Sequence, residues 1–449
     1  MTTLRLWLLL RRRSRTDLRD PARLTGALAV LALAVTTAIA LLVTAGSLAF
    51  IERARAGVAV GSYAVELYPF LAALALVLLA VPLMTLGSAA TKLAVSRRDS
   101  RLAALRLAGA TTGQVTALTL LDAVFQALVG AVLGIAGYLA LVPLAAQVRF
   151  QDRALAPGEL WLGTGGTAVA AGVVLVIVLL AALAGLRRVA ITPLGVAQRV
   201  TPPALRWARA LTAVGAVSAA IAVGALSDLG ATVLFGSIVA VIGVGMATVN
   251  VTGPWLMGLI GRIGVRAACT PAALLAARRV VDDPKAAWRA VGGVSLATFV
   301  AVVTAVTAVV TPEAAHDAAG ITLVTDLRTG ALLTLVLVGV LAAVTTGVVQ
   351  AGRVIDARAT TRSLVLAGAD GRVLDRARLA EVALPLAVSV ALATGMAGAL
   401  VLPFLGIGLF VQPAAIAQIA VSVLGSCALV LAGAASAHLV ARGTSATTG

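Results

Sequence analysis

Apolar residues run along this chain in long, nearly unbroken stretches instead of in the short alternating or three-and-four spacing of a water-soluble fold. A helix needs roughly 20 such residues to cross the hydrocarbon core of a bilayer. Leu24 to Phe50, Tyr63 to Ala90, Val115 to Leu144 and Leu162 to Leu186 each supply that length and form a first block. Ala208 to Leu226 and Ala231 to Ile260 follow, joined by the turn Ser227-Asp228-Leu229-Gly230. A last block holds Ala286 to Val310, Gly330 to Val349, Leu379 to Phe404 and Pro413 to Val440. A membrane β-barrel would show short alternating segments, and none is found. The pattern predicts an all-α integral membrane protein of about ten transmembrane helices in a 4+2+4 arrangement. Composition agrees: 61% hydrophobic and 12% charged residues are far from the balance of a soluble domain.

Charge changes the picture from spans to topology. The formal net charge of +17 would point to nucleic acid in a soluble protein, but here the arginines cluster between apolar runs. With the N-terminus placed in the cytoplasm, all basic residues except Arg53, Arg55, Arg149, Arg153 and Arg328 fall on the cytoplasmic side. The positive-inside rule then sets one orientation, with both termini cytoplasmic, in the cell membrane. Arg11, Arg12, Arg13, Arg15, Arg19 and Arg23 resemble the basic region of a signal peptide, yet the run after them exceeds the cleaved length of about 7 to 15 residues and reads as a first membrane helix. The longest outer loop, about Thr311 to Thr329, leaves no room for a large extracytoplasmic domain.

The two blocks repeat one another. Leu107-Ala108-Gly109-Ala110 recurs as Leu366-Ala367-Gly368-Ala369, and the same offset sets Asp122 opposite Glu381. Asp20-Pro21 and Asp283-Pro284 stand at matching places before each first span. Both copies have the same sense in the membrane, so the repeat is parallel and not inverted. The division is 1–200 for the first four-helix module, 201–264 for the connecting hairpin, and 265–449 for the second module. Between the second and third spans of the first block, Leu102, Leu105 and either Ala108 or Gly109 are read as one helical face, with Arg98 and Arg101, and Arg106 as a further candidate, toward the other. Such an amphipathic helix either anchors the loop at the membrane surface or docks into a soluble partner.

Arg97-Arg98, a leucine-rich helix, then Leu105-Arg106-Leu107-Ala108-Gly109-Ala110-Thr111 and Gln114-Val115 leading into a glycine-rich span resemble the signature of the FtsX-like ABC permease family, with its MacB, LolC/LolE and Bce types. Arg187-Arg188, Ile191-Thr192-Pro193-Leu194 and Ala197-Gln198-Arg199 are similar to the proline-containing tail of that module. In the second block Arg362-Ser363-Leu364-Val365 replaces much of the leucine pattern. The resemblance implies two FtsX-like modules whose cytoplasmic coupling helices, marked by Arg98, Arg101, Leu102, Leu105, Arg106 and Gly109 and by Arg362, Leu364 and Gly368, contact an ABC ATPase. The chain has only Lys92 and Lys285, neither after a glycine, and so no Walker A loop. ATP and Mg would therefore be held by a separate ATPase subunit, in two copies to match two coupling segments.

Asp122 and Glu381 are intramembrane ionisable groups near the cytoplasmic ends of their spans, where arginines such as Arg106 or Arg378 would satisfy them. Gly130 and Gly134 form a Gly-x-x-x-Gly pair of the kind that lets helices approach, though 44 glycines make such pairs common. Pro82 and Pro385 interrupt spans. Glu66, Arg149, Asp152 and Glu159 lie toward the outer surface, as a solvated rim or as contacts for a polar ligand. Cys269, Cys427, His316 and His438 suggest neither a disulfide framework nor a metal site. The expected function is export or extraction of an amphipathic drug, antimicrobial peptide or lipid, driven by a partner's ATP hydrolysis; the rival is a mechanotransducer acting on an outer enzyme or sensor kinase. Nucleic acid is not an expected partner.

Overall fold

Long apolar runs become long helices because a chain in hydrocarbon must satisfy its own backbone N–H and C=O groups. The computed structural model describes residues 21–57, 67–96, 111–173, 231–309, 318–366, 370–405 and 412–425, with a few isolated positions besides. In chain order the helices are α1 (Pro21–Arg55), α2 (Leu67–Ser96), α3 (Thr112–Ala145), α4 (residues 163–173), α5 (Ala231–Ala267), α6 (Pro271–Asp282), α7 (Pro284–Thr304), α8 (Ala318–Leu366), α9 (Gly371–Leu405) and α10 (Pro413–Gly425). Between α3 and α4 lies a small antiparallel hairpin, β1 (Arg149–Phe150) with β2 (Arg153–Ala154), in which Arg149 pairs with Ala154 and Phe150 with Arg153.

Seven of these helices are long and apolar enough to cross a membrane, and each falls on an expected run. Of the other three runs, Leu162 to Leu186 and Pro413 to Val440 are described in part, as α4 and α10, and Ala208 to Leu226 lies outside the described residues apart from isolated helical positions. The protein is thus a multi-pass membrane protein, almost wholly helical among the described residues. One boundary differs from expectation. Residues 318–329, read from sequence as the end of an outer loop, are the first three turns of α8. Ile321, Val324 and Leu327 recur there at helical spacing, and the polar residues between them find partners within the protein.

The chain divides into two compact units. The first comprises residues 1–45, 83–147 and 156–201. In its core Tyr138 is fully buried among Ala38, Leu41 and Ala45, flanked by Ile135, Val142, Leu162 and Ala170. The Tyr138 hydroxyl donates to the Leu160 carbonyl and accepts from the Leu162 N–H, which fixes the chain as it enters α4. Here α3 lies hard against α1 through glycine. A Cβ on Gly134 would stand 2.5 Å from the Thr37 Cβ, and one on Gly130 would stand 2.7 Å from that of Leu33. The Gly-x-x-x-Gly pair therefore makes a real helix contact, of the kind small residues allow in membranes.

The second unit comprises residues 46–82, 148–155 and 202–449. At its centre α7, 21 residues and about 32 Å long, is buried almost throughout and packed by α5, α8 and α9. Gly293 of α7 abuts the backbone of Ala342 in α8, and Ser295 donates to the Ser389 carbonyl of α9. Asp283 caps α7 by accepting from Ala286 N–H, with Pro284 in the first turn. Trp288 lies across Gly253 of α5 and donates to Asn250.

The sequence offset between the two blocks can be followed onto the helices. Gly371 at the start of α9 corresponds to Thr112 at the start of α3 by the offset that relates Glu381 to Asp122. That offset also sets Gly130 against Ser389, and each faces the first helix of its own block.

Candidate functional site

Two places in the fold carry polar chemistry. The first is the hairpin end of the second unit. Gln151 and Asp152 both take left-handed backbone angles, φ 59° and 58°, so the hairpin closes through a tight turn whose twist suits two short strands. Phe150 is buried edge-on to Phe50 of α1, and Phe50 stacks on Tyr68 of α2. Under this aromatic cover lie a guanidinium and a carboxylate, Arg53 and Asp326, each more than nine-tenths buried.

Gln151 bridges them. Its N–H donates to Asp326 Oδ2 at 2.8 Å, while its Oε1 accepts from Arg53 Nη1 at 3.3 Å. Tyr68 donates its hydroxyl to the same Oδ2 at 2.6 Å, and Arg53 also donates to the carbonyls of Phe150 and Ala154. One turn earlier on α8, Thr322 donates to Asp152. A buried charge is tolerated only when hydrogen-bonded and offset by an opposite charge, and both conditions hold. Because these groups are turned toward protein partners, the cluster fastens together the end of α1, the start of α2, the hairpin and the start of α8. Sequence reading named Arg53, Arg149 and Asp152 as outer residues but missed Tyr68, Gln151 and Asp326. The available signal was an aspartate set within the helical spacing of Ile321, Val324 and Leu327.

The second is the set of segments and carboxylates expected from the sequence near the starts of α3 and α9. Arg98, Arg101, Leu102, Leu105, Arg106 and Gly109 lie outside the described residues. Immediately after them α3 opens with a capping box in which Thr111 and Gln114 each bond the other's backbone N–H. Asp122, half-buried, sits on α3. In the second block Arg362 and Leu364 belong to the last turns of α8, and Gly368 follows, exposed, with φ +87°. Only glycine takes that left-handed conformation without cost, and it ends helices for this reason.

Glu381 finds a partner that spacing did not suggest. Arg279 of α6 donates to it at 3.0 Å. The helix α6 is itself unforeseen: Thr270 caps it, Pro271 opens it, and Ala276, Ala277 and Val280 are its buried face. Through Arg279 it is tied to α9 at the height of the carboxylate that the repeat equates with Asp122.

Seven long apolar helices define a multi-pass membrane protein, without a convergent nucleophile and base among the described residues. Residues 88–194 are similar to the family described as FtsX-like permease C-terminal. The match takes in the end of α2, the segment from Arg98 to Gly109, all of α3, and α4 with the proline-containing tail. No curated protein and no solved structure matches the chain.

Proposed function

We propose that this chain is the permease subunit of an ABC exporter whose ATPase is a separate polypeptide, and that it moves an amphipathic molecule such as a drug, an antimicrobial peptide or a lipid. In this reading both termini face the cytoplasm, the ten spans are arranged 4+2+4 without a large outer domain, and the hairpin cluster of Arg53 and Asp326 lies on the outer side. Two ATPase copies, holding ATP and Mg, dock on the two coupling segments: Arg98, Arg101, Leu102, Leu105, Arg106 and Gly109 in the first block, and Arg362, Leu364 and Gly368 in the second.

The observation that carries the reading is the continuity of α8. It is a single helix of 49 residues, with Asp326 in the hairpin cluster near one end and Arg362 and Leu364 near the other. From Asp326 to Leu366 it rises about 60 Å, about twice the ~30 Å hydrocarbon core. A push at the ATPase end is thus delivered to the outer hairpin with no joint between. The lipid-facing side chains support an amphipathic substrate, since Leu128, Val132 and Leu133 of α3 and Val336 of α8 are exposed along the spans.

Co-purification tests the docking. Replacing Leu105 and Gly109 together by Asp is expected to abolish capture of the partner ABC ATPase while the permease still reaches the membrane. Retained capture would remove the docking assignment. Flux of a fluorescent amphiphile in proteoliposomes carrying both subunits then separates transport from the rival transducer, which would hydrolyse ATP without flux.

A further inference from the structure

The helix α5 carries two charged residues in its 37, Arg262 and Arg266, and both lie in its last two turns. Steps of about 100° per residue set them on one side of the helix with Val233, Val244, Val251, Leu259 and Ile263. Those five apolar side chains and both arginines are exposed, Ile263 to 55%, while Val241, Thr248 and Thr252 between them are buried, so the exposure is unbroken only over the last turns, from Leu259 to Arg266 on this side. The other side faces protein: Gly261 meets Val280 and Val281 of α6, and Gly264 meets Ala277. The stretch from Val233 to Leu259 rises about 39 Å, enough to cross a hydrocarbon core of ~30 Å. Its two arginines therefore fall at the level of the lipid headgroups.

Neither guanidinium has a hydrogen-bond or ion-pair partner among the described residues. Among the carboxylates closest in sequence, Asp283 is engaged in capping α7 and Asp282 is exposed without pairing to them. The negative end of the α5 dipole accounts for a cation in the last turn, at Arg266. It does not account for Arg262 a turn earlier, set between the exposed Leu259 and Ile263. Exposed apolar side chains interleaved with uncompensated cations at about 6 Å spacing fit one environment, an acyl chain ending in a phosphate. A water-soluble partner would leave Leu259 and Ile263 to cover.

We propose that Arg262 and Arg266 form a binding site for an anionic phospholipid headgroup in the leaflet at this end of α5, the two guanidinium groups gripping phosphate while Leu259 and Ile263 line the acyl chain. The site belongs to α5 itself and stands whether or not the transport reading holds.

Native mass spectrometry of the detergent-purified permease, titrated with phosphatidylglycerol and separately with phosphatidylcholine, tests it. Wild type is expected to bind phosphatidylglycerol selectively. The double variant Arg262→Gln/Arg266→Gln should lose roughly 30-fold in that affinity, the combined effect of two basic side chains at a charged headgroup. Arg153→Gln in the hairpin should bind as wild type does. Arg262→Lys/Arg266→Lys, which keeps the charge and the fold, should retain most of the binding, so a misfolded Gln variant does not spare the proposal. Equal binding of the two lipids by wild type, or unchanged phosphatidylglycerol binding in the Gln variant, overturns it. Loss of ATPase capture by the Gln variant with lipid binding intact also overturns it, because the surface would then belong to a protein partner.

Discussion

Asp326 is the residue on which the hairpin cluster turns. Tyr68 O–H and Gln151 N–H both donate to its Oδ2, so one oxygen holds two donors in a site closed to water. Asp326→Ala removes that acceptor, leaves both donors orphaned, and strips Arg53 of its counter-charge; the expected loss is about 3 kcal/mol. Asp326→Asn keeps a carbonyl oxygen able to accept both bonds and gives up the charge alone, so about a third of that loss is expected. Thermal unfolding in detergent, followed by tryptophan fluorescence, should rank the apparent Tm wild type, Asn, Ala. Equal Tm for Ala and wild type would mean the cluster fastens nothing. Gly134 makes a similar argument from shape. Gly134→Ala would put its Cβ 2.5 Å from that of Thr37 and 2.8 Å from the Ala34 carbonyl, so α1 and α3 must part, at about 1–3 kcal/mol. Gly137→Ala, whose Cβ would sit at an ordinary 3.4 Å from that of Ala38, is the control expected to leave Tm nearly unchanged.

At the scale of elements, α6 depends on a contact that lies between helices and not along one. Arg279 and Glu381 are 3.0 Å apart, with side-chain exposures of 26% and 12%. A partly shielded pair of this kind is expected to couple by about 1 kcal/mol. A double-mutant cycle with Arg279→Gln and Glu381→Gln, read by hydrogen exchange of α6, should show each single change loosening the helix and the double change no worse than the worse single. The cycle also explains what spacing along the chain failed to reveal. Spans were legible because hydrophobic length is a local property, and α1, α2, α3, α5, α7, α8 and α9 all fall on runs counted from the sequence. The contact of Glu381 with Arg279 was not legible, because Arg279 is near only after folding. Asp326 was misplaced for a related reason. A charged residue at the edge of an apolar run reads as loop until Tyr68 and Gln151, brought in from α2 and the hairpin, make it affordable inside a helix. The Gly130 contact was undervalued because glycine is abundant here, and only the neighbouring helix separates a packing glycine from a chance one.

For the whole molecule, the decisive issue is whether α8 acts as one rod. Its length without a break ties the segment around Arg362 and Leu364 to the hairpin cluster around Asp326, and no proline interrupts it. A rod transmits displacement only if it does not bend, and proline inside a helix removes a backbone hydrogen bond and kinks it. Val336 lies between the two ends and is 61% exposed, so a proline there disturbs the helix and spares the packing of Gly293 against Ala342. Val336→Pro is expected to leave the permease in the membrane, ATPase capture intact, and ATP hydrolysis within about twofold of wild type. Substrate flux per ATP in proteoliposomes should fall by about tenfold, corresponding to roughly 1.4 kcal/mol of lost coupling. Val336→Ala, which keeps the helix, should behave as wild type. If flux and hydrolysis fall together, the proline has damaged docking or folding, and ATPase capture and apparent Tm will register that. Full flux with a kinked α8 would show that α8 does not carry the stroke as a rod, leaving the buried Arg53 and Asp326 as a structural fastening with no part in it.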